Sequence, residues 1–261
     1  MVKVSLRGTG VIRVLKALKA SKFLKALLRV FKFLLLLFVL LQLSLILYYK
    51  YFPVPYTTTM LERQAGALRK AWLLSFDKSS ETAVSIDLAY DWVPYEEMSD
   101  WAKLAVISLE DSHFATHHGP YWPALRKALA EGRGGSTITQ QVVKNALLWQ
   151  GRGWSRYLRK ALEIPLSYIV DWFWGKRRVL EIYLNIIEVG PMIFGMEMAA
   201  QEFFGHSAAE LTLYRAALVA AALPNPRYYN VRNPSRLMRR RQKTAVARMI
   251  QLRRSGYLTR F

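Results

Sequence analysis

Glu110-Asp111-Ser112-His113-Phe114-Ala115-Thr116-His117-His118-Gly119 is followed, from Gly134 to Gln141, by Gly-Gly-Ser-Thr-Ile-Thr-Gln-Gln. The first stretch closes an apolar run of Leu104, Ala105, Val106, Ile107 and Leu109, whose spacing predicts a helix ending in a carboxylate pair. The second opens on glycines and continues with small hydroxyl and amide side chains, the pattern of a loop entering a helix. Ser136 is the expected N-cap, with Gln140 near the capping-box position. A carboxylate at the end of an apolar helix, beside a loop of hydroxyl and amide groups, suits chemistry on sugars: it combines a proton acceptor with many hydrogen-bonding partners.

Outward from this centre the helical period dominates. It predicts helices over 98–110, 121–131, 137–148, 155–173, 176–187, 195–204, 208–223 and 235–255, separated by Gly, Pro and short polar groups. Pro165 predicts a kink within 155–173, and Glu131 to Ser136 a mobile loop. Met60 to Leu74 reads as a short amphipathic helix. Residues 76–97, with the alternation Thr82-Ala83-Val84-Ser85-Ile86, read as strand or extended chain.

Phe33 to Tyr49 is apolar apart from Gln42 and Ser44. Its helical length, roughly 25 Å, spans a bilayer core if Lys50 snorkels and Tyr51-Phe52 extend it. No small-residue cleavage site follows, so the run reads as an uncleaved anchor. Nine basic residues and no acid occupy 1–32, and Lys50 alone follows the run. That asymmetry predicts a cytoplasmic basic segment (1–32), a transmembrane helix (33–52) and an external domain (53–261). The recurrence of basic residues from Arg13 to Lys32 also permits a cationic stripe along anionic headgroups.

The 38 Lys and Arg against 18 Asp and Glu give a net charge of +20, which calls for an anionic partner or surface. Twelve of the basic residues follow Glu210, beyond which there is no acid. No nucleic-acid-binding motif accompanies the charge, so no nucleic-acid partner is expected. The absence of cysteine excludes disulfides and thiolate metal sites. His113 and His117 stand four apart, but no H-E-x-x-H occurs and a third histidine ligand is not evident.

The two opening segments resemble the first motifs of the family 51 glycosyltransferases, the peptidoglycan polymerases: E-D-x-x-F-x-x-H-x-G and G-x-S-T-x-x-Q-Q. Arg159-Lys160-Ala161-Leu162-Glu163 is similar to the family's R-K-x-x-E. Lys176 through Asn185 is similar to its K-x-x-I-L-x-x-Y-L-N, with Val179 for Ile. Arg241 to Met249 matches R-x-x-x-V-L-x-x-M less fully, Ala245 and Val246 replacing Val-Leu. Coverage runs from about Pro53 to Gly256. Pro53-Val54-Pro55, Gln64 and Trp149 point within the family to its monofunctional Gram-negative members.

The resemblance implies a mostly α, lysozyme-like domain of two helical lobes on a single N-terminal transmembrane helix, placed on the periplasmic side of the inner membrane. It implies polymerisation of lipid II onto a growing glycan chain, with release of undecaprenyl diphosphate, and a place in a cell wall synthesis complex. Glu110 becomes the expected base, its pKa raised by partial burial. Glu163 is the second carboxylate, stabilising oxocarbenium charge or holding a divalent cation (Mg²⁺ or Mn²⁺) with Asp111, which otherwise orients its neighbours. Asp111, Ser136, Thr137, Gln140, Gln141, Lys144, Asn145, Arg152, Arg159, Lys160 and Lys176 are the expected substrate contacts. His117 looks structural, Tyr183 is assigned to the core, and Asn185 ties backbone.

Three other readings compete. A lytic transglycosylase or lysozyme-type hydrolase shares fold and glutamate but does not need the R-K-x-x-E and Y-L-N segments for a neutral leaving group. A bifunctional penicillin-binding protein carries S-x-N and K-T-G segments, which are absent. A cationic membrane scaffold needs no Glu110/Glu163 pair.

Overall fold

The computed structural model describes residues 8–76, 85–131, 135–151 and 153–261. Arg152 and residues 132–134, half of the expected mobile loop, lie outside the described residues, as do Thr82, Ala83 and Val84. The fold is mostly α, as expected. Helix α1 (Gly8–Tyr51) runs unbroken through the anticipated boundary at residue 32. Its part from Lys22 to Tyr51, whose most apolar 18-residue stretch has a mean hydropathy of 2.6, is long and apolar enough to cross a membrane. Phe31, Phe33, Leu36 and Leu40 are exposed along it, which water would penalise and lipid would not.

The chain up to Tyr48 forms one compact unit and Tyr49–Phe261 another. The second begins where α1 ends. Arg178 donates from Nε and Nη2 to the Tyr49 carbonyl at 2.9 and 2.8 Å, and from Nη2 to that of Phe52. A helix leaves its last carbonyls without internal partners, and this guanidinium supplies them. After Pro53 and Pro55, α2 (Thr58–Leu74) starts on the Thr57 cap, whose hydroxyl accepts from Met60 N at 3.1 Å. Arg63 fastens it to Glu188 through a two-pronged ion pair.

Helix α3 (Asp100–Glu110) is central to the second unit. Ser99 caps it, accepting from Trp101 N at 3.2 Å while donating to the Leu211 carbonyl at 2.7 Å. Leu104, Val106 and Ile107 are fully buried, each contributing roughly 1.5–3 kcal/mol. They pack against α8 (Leu213–Ala222) and α9 (Arg236–Arg254). Alanines 216, 217, 220, 221 and 222 of α8 are buried, and their small side chains permit close approach. Ala245 and Met249 of α9 are fully buried, so the segment with the poorest motif match still packs as a core helix.

Helix α4 (Trp122–Glu131) and the short α5 (Ile138–Val142) lie between α3 and α6 (Ser155–Ile186) in sequence. Thr137, one residue later than expected, caps α5: its hydroxyl accepts from Gln140 N at 3.2 Å, and Gln140 Oε1 accepts from Thr137 N at 3.0 Å. Ser136 is left free for other work. Helix α6 continues through Pro165; its departure from helical dihedrals is at Gly175 (φ 76°, ψ 163°), between the two segments read from sequence.

The extended elements are few among the described residues. Among the described residues of 76–97, only β1 (Ala89–Tyr90) is a strand. It pairs in parallel with β3 (Ile193–Phe194), which pairs antiparallel with β2 (Glu188–Gly190). Gly195 leads from β3 into α7 (Gly195–Phe204) with φ 85°, where a Cβ would stand 2.5 Å from the Asn185 carbonyl. Tyr183 and Asn185 are fully buried, as assigned from sequence. Asn185 Oδ1 accepts from Val93 N, and Nδ2 donates to Val93 and Glu181 carbonyls, each at 2.9 Å. Asn185→Ala leaves buried backbone groups unpaired and is expected to cost about 2–4 kcal/mol. Urea unfolding of the detergent-solubilised chain checks this; a loss below about 0.5 kcal/mol would count against it.

Candidate active site

Glu110 is the last residue of α3 and borders a cleft of about 370 Å³ that also includes Ser112, His113, Tyr121, Lys127 and Ser136. Its Oε2 accepts from Gln141 Nε2 at 2.9 Å. Gln141 Oε1 accepts in turn from the buried Tyr183 hydroxyl at 3.4 Å. Because that acceptor end of the amide is matched to a hydroxyl, its NH₂ is directed at Glu110. Burial pushes the Glu110 carboxyl above the usual range, opposed by the Gln141 bond and the charges of Arg241 and Lys144, and reinforced by Asp111. The direction agrees with the expectation from sequence.

Asp111 turns the other way. Its carboxylate accepts from His117 Nε2 at 2.9 and 3.0 Å and from Ile138 N at 3.1 Å. It therefore ties the end of α3 to the 114–119 segment and to the start of α5, the orienting alternative. His117 is structural, as expected. Gly119 donates to Asp171 Oδ2 at 3.0 Å, and its φ of 62°, with Tyr168 N 3.0 Å from any added Cβ, calls for glycine.

The cations gather around Glu163. Arg159 Nη1 donates to one of its oxygens and Lys160 Nζ to the other. Lys160 also donates to Ser136 Oγ at 3.0 Å, joining the second and third sequence segments. Lys144 lies in the stretch Val143–Leu147, a π-type turn closed by Leu148 N to Val143 O at 3.1 Å. Burial holds its amine below the usual lysine range. Glu163 and Glu110 act against that shift, and Arg159 and Lys160 with it. Lys144 thus sits within the fields of both carboxylates, and the electrostatics bring Glu110, Lys144, Arg159, Lys160 and Glu163 together.

Several expected contacts are occupied internally. Lys176 pairs with Asp171 at 2.9 Å over the Phe114 ring, and burial lowers its pKa despite that carboxylate. Asn145 joins Thr59 and Gln150 through its Oδ1 at 3.2 and 3.0 Å. Thr137 and Gln140 form the α5 cap. Lys176, Asn145 and Gln140 support the site rather than line its cleft, whereas Thr137 lines the cleft with its hydroxyl engaged in the cap and with the Gly119 carbonyl. Arg241 was not singled out as a site residue, although its charge reaches Glu110; its place at the head of the fifth segment was the available signal. Tyr183 and Asp171 were also missed as partners of the site.

A divalent cation on Glu163 and Asp111 does not fit these donors as a protein-held ion. Both carboxylates already have protein partners, and among the described residues no three His, Asp or Glu side chains form a metal-ligating group.

A half-buried, hydrogen-bonded carboxylate at a cleft, backed by paired cations within a helical domain, is the make-up of an acid–base enzyme site. The transglycosylase family model matches residues 80–250, and the chain belongs to that family. It is 42% identical over 213 residues to the biosynthetic peptidoglycan transglycosylase of Pasteurella multocida (strain Pm70), covering 79% of this chain and 81% of the relative. It is 40% identical over 233 residues to that of Stutzerimonas stutzeri (strain A1501), covering 87% and 90%. To that of Klebsiella oxytoca it is 42% identical over 214 residues, covering 79% and 82%.

With Glu110 as base, activity would be lost as pH falls through its raised pKa, because a base works only when unprotonated. Gln141→Leu removes the hydrogen bond that favours the charged form, and the acid limb of kcat/KM is expected to move to higher pH. A limb that stays in place or moves down would show that Gln141 does not hold Glu110.

Proposed function

We propose that this protein polymerises lipid II into β-1,4 peptidoglycan strands, releasing undecaprenyl diphosphate, with Glu110 as general base. The observation that carries the reading is a carboxyl of raised pKa, oriented by Gln141 and Tyr183 at the cleft wall. The acceptor 4-hydroxyl gives its proton to Glu110 as its oxygen bonds to the donor's anomeric carbon. The bond from that carbon to the diphosphate breaks, and its electron pair leaves with the diphosphate. Attack from the opposite face converts an α-linked donor into a β-linked product.

The leaving group needs positive charge rather than a proton. Lys144, Lys160, Arg159 and Arg241 are the candidates near Glu110 and Glu163. Glu163 acts through Arg159 and Lys160 and is a positioning residue in this reading. Mg²⁺ or Mn²⁺ enters as the counter-ion of the lipid-linked diphosphate, consistent with the way Mg²⁺ binds through substrate phosphates.

The nine-to-one distribution of basic residues around the apolar run supports a cytoplasmic N-terminus and a periplasmic enzyme domain in the inner membrane, within reach of other cell wall synthesis proteins. Trp154, Tyr157, Tyr168 and Trp172, exposed along α6, suit the headgroup region of such a membrane. Alkaline phosphatase fused after Phe261 is expected to be active, and an inactive fusion would reverse the orientation.

Glu110→Gln keeps size and hydrogen bonding but cannot accept the proton. Lipid II turnover is expected to fall about 10²–10⁴-fold with lipid II binding retained. EDTA is expected to lower wild-type turnover, with recovery on adding Mg²⁺ or Mn²⁺. Wild-type protein that cleaves purified sacculi and makes no polymer from lipid II would instead identify a lytic enzyme.

A further inference from the structure

On the α9 side of the Glu110 cleft lies a second cavity, of about 470 Å³. Ser112 and His113 line both, so the two spaces adjoin across the residues that follow the carboxylate pair. Arg248 and Arg260 give the second cavity its charge. Four other cavities each include at least one carboxylate among their described lining residues: Glu110 and Asp111, Glu202, Glu62 with Glu188, and Glu188 again. This one includes none. No acidic side chain occurs in the sequence after Glu210, so the charged side chains that α9 and the C-terminal segment bring to it are all basic.

The two arginines also differ from those that serve the fold. Arg63, Arg159, Arg177, Arg178 and Arg232 each have a carboxylate partner. Arg248 and Arg260 have none among the described residues. Arg248 Nη1 donates to the Ser108 carbonyl at 3.0 Å, which fixes it while leaving four of its five N–H donors for a ligand. Arg260 lies over the Tyr257 ring at 5.1 Å. That ring is itself pinned: its hydroxyl accepts from Ala115 N at 2.9 Å and donates to the Ser112 carbonyl at 3.2 Å. Guanidiniums held this way lose less freedom when an anion binds.

An uncharged saccharide does not need two unpaired guanidiniums. The peptide of a peptidoglycan precursor, with its free carboxylates, does. We propose that this cavity is a carboxylate-binding subsite for the peptide carried by the substrate whose sugar meets Glu110. The inference rests on the polymerase reading above and adds to it a second point of substrate recognition, away from the diphosphate.

The test uses the full chain in detergent and two substrates, lipid II with free peptide carboxylates and lipid II with those carboxylates amidated. Amidation is expected to raise the wild-type KM about tenfold, the scale of a charge-assisted contact. In the Arg248→Gln/Arg260→Gln double variant, KM for the free-carboxylate substrate is expected to rise by a similar factor. Amidation should then change the variant's KM by less than about twofold, as expected when both changes remove one interaction. Arg260→Gln alone disturbs no backbone hydrogen bond and is expected to give about threefold, which separates lost recognition from a folding defect. Equal wild-type KM values for the two substrates, or equal amidation effects in wild type and double variant, would overturn the subsite alone. Wild-type protein that makes no polymer from either substrate would overturn the reading of the reaction itself.

Discussion

Two buried aspartates hold the site together. Asp111 joins the end of α3 to His117 and to the first amide of α5. Asp171, on α6, accepts from Gly119 N at 3.0 Å and Thr139 Oγ1 at 3.1 Å and pairs with Lys176. The segment from His117 to Gly119 and the start of α5 are therefore clamped between α3 and α6 by carboxylates that water hardly reaches. Removing one partner of such a buried ionic network leaves uncompensated charge and typically costs about 3–5 kcal/mol. Glu110 precedes one clamp and Gln141 lies three residues beyond Ile138, so their hydrogen bond depends on both.

The same low-dielectric surroundings set the chemistry. A carboxylate in water has no reason to hold a proton near neutrality, whereas burial raises the cost of charging Glu110. Burial alone disfavours its charged form. Gln141, Arg241 and Lys144 return part of that charge stability. Lys144 experiences the converse: its amine is discouraged from carrying charge by burial and by Arg159 and Lys160, and favoured by Glu163 and Glu110. The two charges therefore favour each other, while burial still holds Glu110 above and Lys144 below its ordinary range.

The part of this arrangement legible in the sequence is the part written in local patterns. Periodicity located the helices of the second unit within a few residues, and even the break at Gly175 fell between two predicted segments. Contacts between distant segments were less accessible. Ser136 and Thr137 are equally good caps by residue type, and only the fold shows that Thr137 reaches the Gly119 carbonyl at 2.8 Å while Ser136 turns to Lys160. Lys176, in a family-like segment, reads as a substrate cation until Asp171 is found 2.9 Å away. Asp171 itself belongs to no motif. Its role follows from a helical face that brings it under Gly119, a relationship 52 residues apart in sequence.

Helix α6 links these observations. Arg159, Glu163, Ser167 and Asp171 recur every four residues and are all buried, so the part of the helix before Gly175 turns a polar row inward, whereas the part after it buries Val179, Leu180, Ile182 and Leu184. Its outward side carries Trp154, Tyr157, Leu158, Tyr168, Ile169 and Trp172, with Trp172 82% exposed. A helix on a water-soluble core has the reverse arrangement, with apolar side chains inside and charges outside. The inversion has a physical consequence at each face. Inward, it places the Glu163 cluster and the Asp171 clamp where surrounding protein strengthens their electrostatics. Outward, it leaves aromatic surface best matched to a membrane interface, where rings with a polar edge are favoured. One helix thus turns charge inward and aromatic surface outward, an arrangement that suits the proposed reading, in which the substrate is a charged headgroup on a lipid tail.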